Sequence, residues 1–296
     1  MVIPCYNAGD LILRAVQSVL IQGDHVEQVI VVDDCSNEST TLKALDQLVE
    51  LSDKLLVIRG AHQVGAAAAR NQGIRKATGN LIAFLDADDV WLPEKLTVQL
   101  EHVSDWFDAY GDAWFSASDA LLRGDSDSTP ANGDAVDFSQ GVAHFLLVGN
   151  GTLQTSTLIA PTALLQTHEF NESLHRHQDW DLLIRLEEAG ATNCYINTVL
   201  SIYDVATDRS RISISRNGLQ NTLAWFDSIK NVVQPEYLQV YFFSHALNRI
   251  SARQPLHFIV GVIRVIRLNP INGCKLLVNA ALRVFNKYVL LQGRRG

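Results

Sequence analysis

The chain lacks the features that mark several specialised classes of protein. Its 296 residues hold only four cysteines, Cys5, Cys35, Cys194 and Cys274, far apart and with no CxxC pair. That excludes a disulfide-stapled scaffold and a cysteine-zinc site, and it fits buried thiols in a reducing compartment. Glycine (18) and proline (7) are too scarce for collagen-like or low-complexity sequence. No stretch reaches the roughly 20 uninterrupted apolar residues that a membrane-spanning helix needs. The opening Met1-Val-Ile-Pro-Cys-Tyr-Asn has neither the basic nor the long apolar region of a signal peptide, so a cytoplasmic protein is expected. No GxGxxG follows the first apolar run, which argues against a dinucleotide oxidoreductase. A net charge of -8 argues against a surface built for nucleic acid, and no such partner is expected.

What is present suits a large globular core, since 47% of the residues are hydrophobic and 19% charged. The charge is uneven. From Pro235 to Gly296 nine Lys and Arg stand against one acid, Glu236, while the residues before it are strongly acidic. A boundary is therefore expected near residue 234, with an acidic domain over 1–234 and a basic, helical extension over 235–296.

Along the first hundred residues, short β-branched runs alternate with helical patterns. The runs Gln28–Asp33, Lys54–Arg59 and Asn80–Leu85 read as buried strands. Leu11–Gln22, Ser39–Leu51 and Gly65–Ala77 carry helical spacing between them. This alternation predicts an α/β fold with a mostly parallel sheet, whose ligand sits beyond the carboxyl ends of the strands. The first strand looks short, with only Met1–Ile3 before the turn, so either the true start lies upstream or this edge of the sheet is thin. The polar, turn-rich stretch from Arg123 to Gln140 is too long for an ordinary connection and reads as a flap or a mobile surface loop.

Three strand ends carry candidate chemistry. In Leu85-Asp86-Ala87-Asp88-Asp89, three carboxylates in four positions repel one another unless a cation lies among them. On a turn, Asp86 and Asp88 can face one hard ion such as Mg²⁺ or Mn²⁺. The competing reading is a helix cap, with Asp89 leading into a helix that has Pro93 just inside it. Asp34 has the same two readings, as a cap or as an acceptor for the N–H of a uracil-type base. Gln178-Asp179-Trp180-Asp181 precedes an apolar helical pattern. There Asp179 is a candidate general base or a cap, and Asp181 with Arg185 an i,i+4 pair. His168, His175 and His177 read as surface residues.

Together these segments resemble the family 2 glycosyltransferases of the GT-A fold, an inverting family that includes many bacterial polysaccharide enzymes. The likeness runs over most of residues 1–200 and follows the family's motif order. Val2-Ile-Pro4-Cys-Tyr6-Asn7 is similar to the first strand and turn, and Val31-Val-Asp33-Asp34 to the base-binding motif. Ala69-Arg70-Asn71-Gln-Gly73 and Gly79 through Asp89 resemble the approach to the DxD, and Phe170 through Asp181 the acceptor-side segment.

The resemblance implies a GT-A, Rossmann-like fold with flanking helices and a C-terminal helical extension. It further implies that Asp34 holds the uracil ring in a pocket lined by Pro4 and Tyr6, and that Arg70 and Asn71 belong to the donor site. Asp86 would touch the ribose, Asp88 would bind a divalent metal, Mn²⁺ or Mg²⁺, on the diphosphate, and Asp179 would deprotonate the acceptor. Arg209 and Arg211 are candidate clamps on the diphosphate. Two departures stand out. Gln178 replaces the usual Glu before the base, and the QxxRW signature of processive synthases is absent, which favours addition of a single sugar.

The expected partners are a nucleotide-sugar donor, with UDP the expected nucleotide, and a glycan acceptor carried on a lipid. The basic helical tail (Arg264, Arg267, Lys275, Arg283 and Lys287 among apolar residues) is expected to meet an anionic membrane at its inner face. The rival reading is a non-catalytic nucleotide-sugar-binding protein of the same fold, which would need no base at Asp179. A nucleotidylyltransferase would call for a glycine-rich basic N-terminal loop, and the turn at Pro4–Asn7 is not one.

Overall fold

The computed structural model describes residues 1–124, 127–134, 136–204, 218–246 and 255–280. The chain divides into two compact units, Met1–Phe138 with Gly151–Arg209, and Ser139–Asn150 with Ser210–Gly296.

The first unit begins with three parallel strands, β1 (Val2–Cys5), β2 (Val29–Asp33) and β3 (Leu55–Arg59), with Val2 opposite Ile30 and Val29 opposite Leu55. The crossovers are helices α1 (Leu11–Leu20), α2 (Ser39–Leu51) and α3 (Ala66–Lys76). Every residue of β1 and β2 is buried, as an unbroken apolar run covered on both faces should be. Each fully buried Val, Ile or Leu there contributes about 1.5–3 kcal/mol of hydrophobic stabilisation.

The short first strand is not a thin edge. Val2 bridges in parallel to Phe84, beside β4 (Leu81–Ala83), so β1 lies inside the sheet. Helix α3 can pack this close because it is built of small residues: a side chain at Gly73 would overlap Val2. Beyond β4 the sheet continues through antiparallel β9 (Ile159–Pro161), then a bridge from Ile159 to Ser116 beside β6 (Trp114–Phe115), and parallel β10 (Thr192–Asn193). A second sheet orders β5 (Val90–Trp91), β11 (Ile196–Asp204), β7 (Ser118–Arg123) and β8 (Ser128–Pro130).

The stretch expected to be a flap or a mobile surface loop carries a short hairpin. β8 pairs antiparallel with β7, and beyond it Asn132 and Gly133 donate backbone N–H bonds to the buried Asp119 carboxylate at 3.1 and 3.2 Å. A buried acceptor that needs donors holds the segment in place. The remaining helices of this unit are α4 (Lys95–Leu100), α5 (Val103–Tyr110), α7 (Thr162–Thr167) and α8 (Gln178–Glu188).

The second unit takes in α6 (Gly141–Leu147), α9 (Gly218–Ile229), α10 (Pro235–Tyr241), α11 (Pro255–Ile266) and a helical stretch over 270–280. The division expected at residue 234 falls inside this unit. The reason is local packing: α6 buries Val142, Phe145, Leu146 and Leu147, and the His144 ring meets Tyr237 of α10 edge-on at 5.2 Å. The fully buried Gln239 donates to the carbonyls of Val265 and Asn269 (3.0 and 2.8 Å), satisfying acceptors at the end of α11. Among the described residues, no helix is long and apolar enough to cross a membrane.

Candidate active site

The ends of β1, β2 and β4 bring three loops together. Asn7, at φ 47, is the fastener between the first two. Its backbone N–H donates to Ser36 Oγ (2.9 Å), and its side-chain oxygen accepts the N–H groups of Asn37 and Glu38 (3.0 and 3.1 Å). Pro4 is buried beneath this turn, while Tyr6 is 44% exposed and open to a ligand. Asp34 does not cap α2, which begins five residues later. Its two carboxylate oxygens instead accept the N–H groups of Val64 and Gly65 at 2.6 and 2.8 Å. Gly65 has φ +93, a conformation glycine adopts without a steric cost, and α3 follows directly. A carboxylate oxygen can accept more than one hydrogen bond, so these two do not exhaust what Asp34 can accept.

The acid turn follows β4. Asp89 N–H closes it on the Asp86 carbonyl at 3.1 Å. Asp89 does not cap a helix: α4 starts only at Lys95, and the Asp89 carboxyl is 1% exposed, accepting the Ser156 hydroxyl at 2.5 Å. Burial, and then the negative charges of Asp86 and Asp88, hold it well above the usual carboxylate range. The Asp88 carbonyl accepts Arg14 Nη2 at 2.7 Å, and Arg14 and Arg123 flank Asp204 at the end of β11.

Arg70 connects this turn to the start of α8. Its guanidinium is nearly buried and donates to Asp86 Oδ1 at 2.5 Å and to Gln178 Oε1 at 2.9 Å. The second of these contacts spans 108 residues of sequence. The Phe170 ring lies under the guanidinium at 5.3 Å. Gln178 also donates to the Leu174 carbonyl (2.6 Å), so its neutral amide is gripped at both ends. Next to it, Asp179 accepts the Trp180 N–H at 2.9 Å. Burial raises Asp179 to about 6, with Asp86 adding to the rise, while the Trp180 N–H and Arg70 oppose it. A carboxylate at that value takes a proton from a hydroxyl more readily than an ordinary Asp does.

Two more expectations meet the structure here. Asp181 is fully buried and paired with Arg185 Nε at 2.8 Å, as its spacing implies. Asn71 is also buried, and its carboxamide is directed at the acceptor-side segment. Its Nδ2 donates to the Phe170 carbonyl and to Glu172 at 2.9 Å, and its oxygen accepts the Phe170 N–H at 2.9 Å. Its visible work is to fasten that segment to α3. His175 is exposed as expected, but His177 is half-buried, left-handed at φ 61, and packed on Trp180 at 5.3 Å. Arg209 and Arg211, with the tail residues Arg283 and Lys287, lie outside the described residues. Ser156 and Arg14 were not legible as site residues, because a lone serine and a helical arginine carry no motif.

The acids fit a hard divalent cation. Asp86 is about a third exposed (32%) and Asp88 half-buried, while no group of three His, Cys, Asp or Glu forms a self-sufficient cage among the described residues. Mg²⁺ and Mn²⁺ accept one or two carboxylates and share the remaining positions with water and phosphate oxygens.

Comparison with known proteins adds to this geometry. The signature of glycosyl transferase family 2 matches residues 1–166. The amylovoran biosynthesis glycosyltransferase AmsB of Erwinia amylovora is 29% identical over 235 residues, spanning 78% of this chain and 77% of that protein. WfgD of Escherichia coli, a UDP-Glc:α-D-GlcNAc-diphosphoundecaprenol β-1,3-glucosyltransferase, is 26% identical over 247 residues, with 82% and 89% covered. Among solved structures, S. aureus TarS 1-349 in complex with UDP-GlcNAc superposes with a TM-score of 0.70 at 17% identity, over 93% of this chain and 82% of that one. That likeness establishes the fold, an α/β GT-A architecture.

Proposed function

Because the chain belongs to glycosyl transferase family 2, we propose that it moves one sugar from a nucleotide-diphosphate sugar, UDP-linked, to a hydroxyl of a lipid-linked glycan. The transfer inverts the anomeric carbon and builds a cell-surface polysaccharide. The observation that carries this reading is the Arg70 guanidinium reaching both Asp86 and Gln178. Asp86 and Arg70 both act electrostatically on Asp179, so the acid turn and the candidate base lie close together.

The chemistry follows from these placements. Tyr6 and Asp34 receive the base of the donor. Asp88, with Asp86, would hold Mg²⁺ or Mn²⁺, which when bound would offset charge on the departing diphosphate. Asp179 takes the proton of the acceptor hydroxyl as that oxygen bonds to the anomeric carbon. The bond from that carbon to the phosphate oxygen breaks, and its electron pair leaves with the nucleoside diphosphate. In-line attack from the face opposite the leaving group inverts the centre. Asp181, committed to Arg185, keeps α8 in place and takes no proton in the reaction.

A lipid-linked acceptor is supported by what WfgD acts on and by the second unit's surface. Ile259, Val260, Ile263, Ile271 and Val278 are exposed, Ile271 by 75%, with Arg267 and Lys275 also exposed nearby in sequence. Apolar side chains beside basic ones suit a peripheral position on the anionic inner face of the membrane.

The test is a transfer assay with UDP-, dTDP- and GDP-sugars, Mn²⁺ or Mg²⁺, and membrane extract as the acceptor source. The anomeric configuration of the product is then read by NMR. Inverted, metal-dependent transfer to lipid-extractable product is expected. Nucleotide binding without transfer under every pairing would favour the non-catalytic rival. Pelleting with vesicles containing phosphatidylglycerol, but not with phosphatidylcholine alone, is the expected result for the surface of the second unit.

A further inference from the structure

The geometry points to Ser156 as a positioning residue that sets the acid turn for the donor's diphosphate end, an inference that rests on the donor reading above. Ser156 lies in a short turn, Thr155–Thr157, just before β9, and is 1% exposed. Its hydroxyl accepts the Asp86 N–H at 3.0 Å and donates to Asp89 Oδ2 at 2.5 Å. One oxygen atom thus holds both ends of the turn, and Asp88 lies between them. From the other side, Arg14 Nη2 holds the Asp88 carbonyl at 2.7 Å. With its backbone fixed on two sides, Asp88 presents its carboxylate from a preset turn.

The serine is itself well placed. Trp91 Nε1 donates to the Ser156 carbonyl at 2.8 Å. The Thr157 carbonyl accepts Gln99 Nε2 at 3.0 Å and the buried Lys95 Nζ at 3.4 Å. The position of Ser156 Oγ is therefore set by a buried polar scaffold from α4 and β5. Without the hydroxyl, the Asp86 N–H and the Asp89 carboxyl lose a shared partner in a site that water reaches poorly. The turn must then re-form around other contacts. Small misplacements of ligating groups are costly when binding depends on preset geometry.

The test is calorimetric binding of UDP with and without Mn²⁺ to the full chain. In Ser156→Ala the affinity measured with Mn²⁺ falls by about tenfold, the upper end of what one buried hydrogen bond is worth. Binding without metal changes little. Ser156→Thr, which keeps the hydroxyl, recovers most of the loss. Thr162→Ala, which loses a part-buried bond to the Gly79 carbonyl (2.6 Å), lowers the melting temperature without this loss of affinity. If Ser156→Ala folds poorly, Ser156→Cys, close in size and a weaker donor, carries the same measurement. Affinity with Mn²⁺ within about twofold of wild type in the hydroxyl-less variant would overturn the role. Wild-type protein that binds UDP, dTDP and GDP no better with Mn²⁺ than without it would overturn the donor reading, and this inference with it.

Discussion

The acid turn at 86–89 and the start of α8 at 178–181 are built alike and end up chemically different. Each places carboxylates at close spacing, buries one and leaves another within reach of solvent. In α8 the buried one, Asp181, receives Arg185. In the turn the buried one, Asp89, accepts the Ser156 hydroxyl and a backbone hydrogen bond from Asp204, with the charges of Asp86 and Asp88 close by. Burial and those negative charges raise Asp89 well above the usual carboxylate range, against the pull of its hydrogen bonds, whereas Asp181 has a cation as its direct partner. An acid-rich string therefore does not reveal which acid meets a ligand; burial and the partner's charge decide it.

That contrast can be broken in order of effect. Asp88→Ala removes the carboxylate proposed to hold the metal, and transfer is expected to fall on the order of 10²–10³-fold, together with Mn²⁺-dependent UDP affinity. Next come the two buried acids. Asp181→Ala removes a charged partner of Arg185 and is expected to cost about 2 kcal/mol in urea denaturation. Asp89→Asn, which keeps an acceptor for Ser156, is expected to cost about 1 kcal/mol or less. Equal losses would mean that the charge of the Asp89 carboxylate matters to the fold as much as the Asp181–Arg185 pair does.

The smallest expected effect is in the pH profile. A base raised to about 6 is protonated below that value, so kcat/KM should rise with pH and level off above it. Gln178→Glu adds a negative charge beside Asp179 and draws Arg70 away from Asp86. Both changes favour the protonated base, so the acid limb should move to higher pH. An unmoved or lowered limb would show that residue 178 does not reach the base.

Much of the first unit was legible because its signals are local. Val29–Asp33 is an unbroken β-branched run, Ala66–Ala69 can make only a close-packed helix start, and three acids in four positions stand out in any reading. What could not be read was the pairing between distant segments. Nothing in the sequence near Ser156 announces a contact with Asp86 across 70 residues, or that Arg70 would find Gln178. The hairpin at 128–133 was hidden because the buried Asp119 that anchors it looks like any strand-end acid. The expected division near residue 234 and the packing of the second unit rest on different signals. The change in charge lies near residue 234, while the apolar α6 that packs on Tyr237 is nearly a hundred residues earlier. Charge follows the surface, and unit boundaries follow buried contacts.

The most direct test of the central claim, that the acid turn and Asp179 serve one transfer event from opposite sides, is to measure donor binding and single-turnover transfer side by side in Asp179→Asn. The account predicts Mn²⁺-dependent UDP-sugar affinity close to wild type with transfer reduced by about 10²–10⁴-fold. Transfer near the wild-type rate in that variant would contradict it and move the base elsewhere.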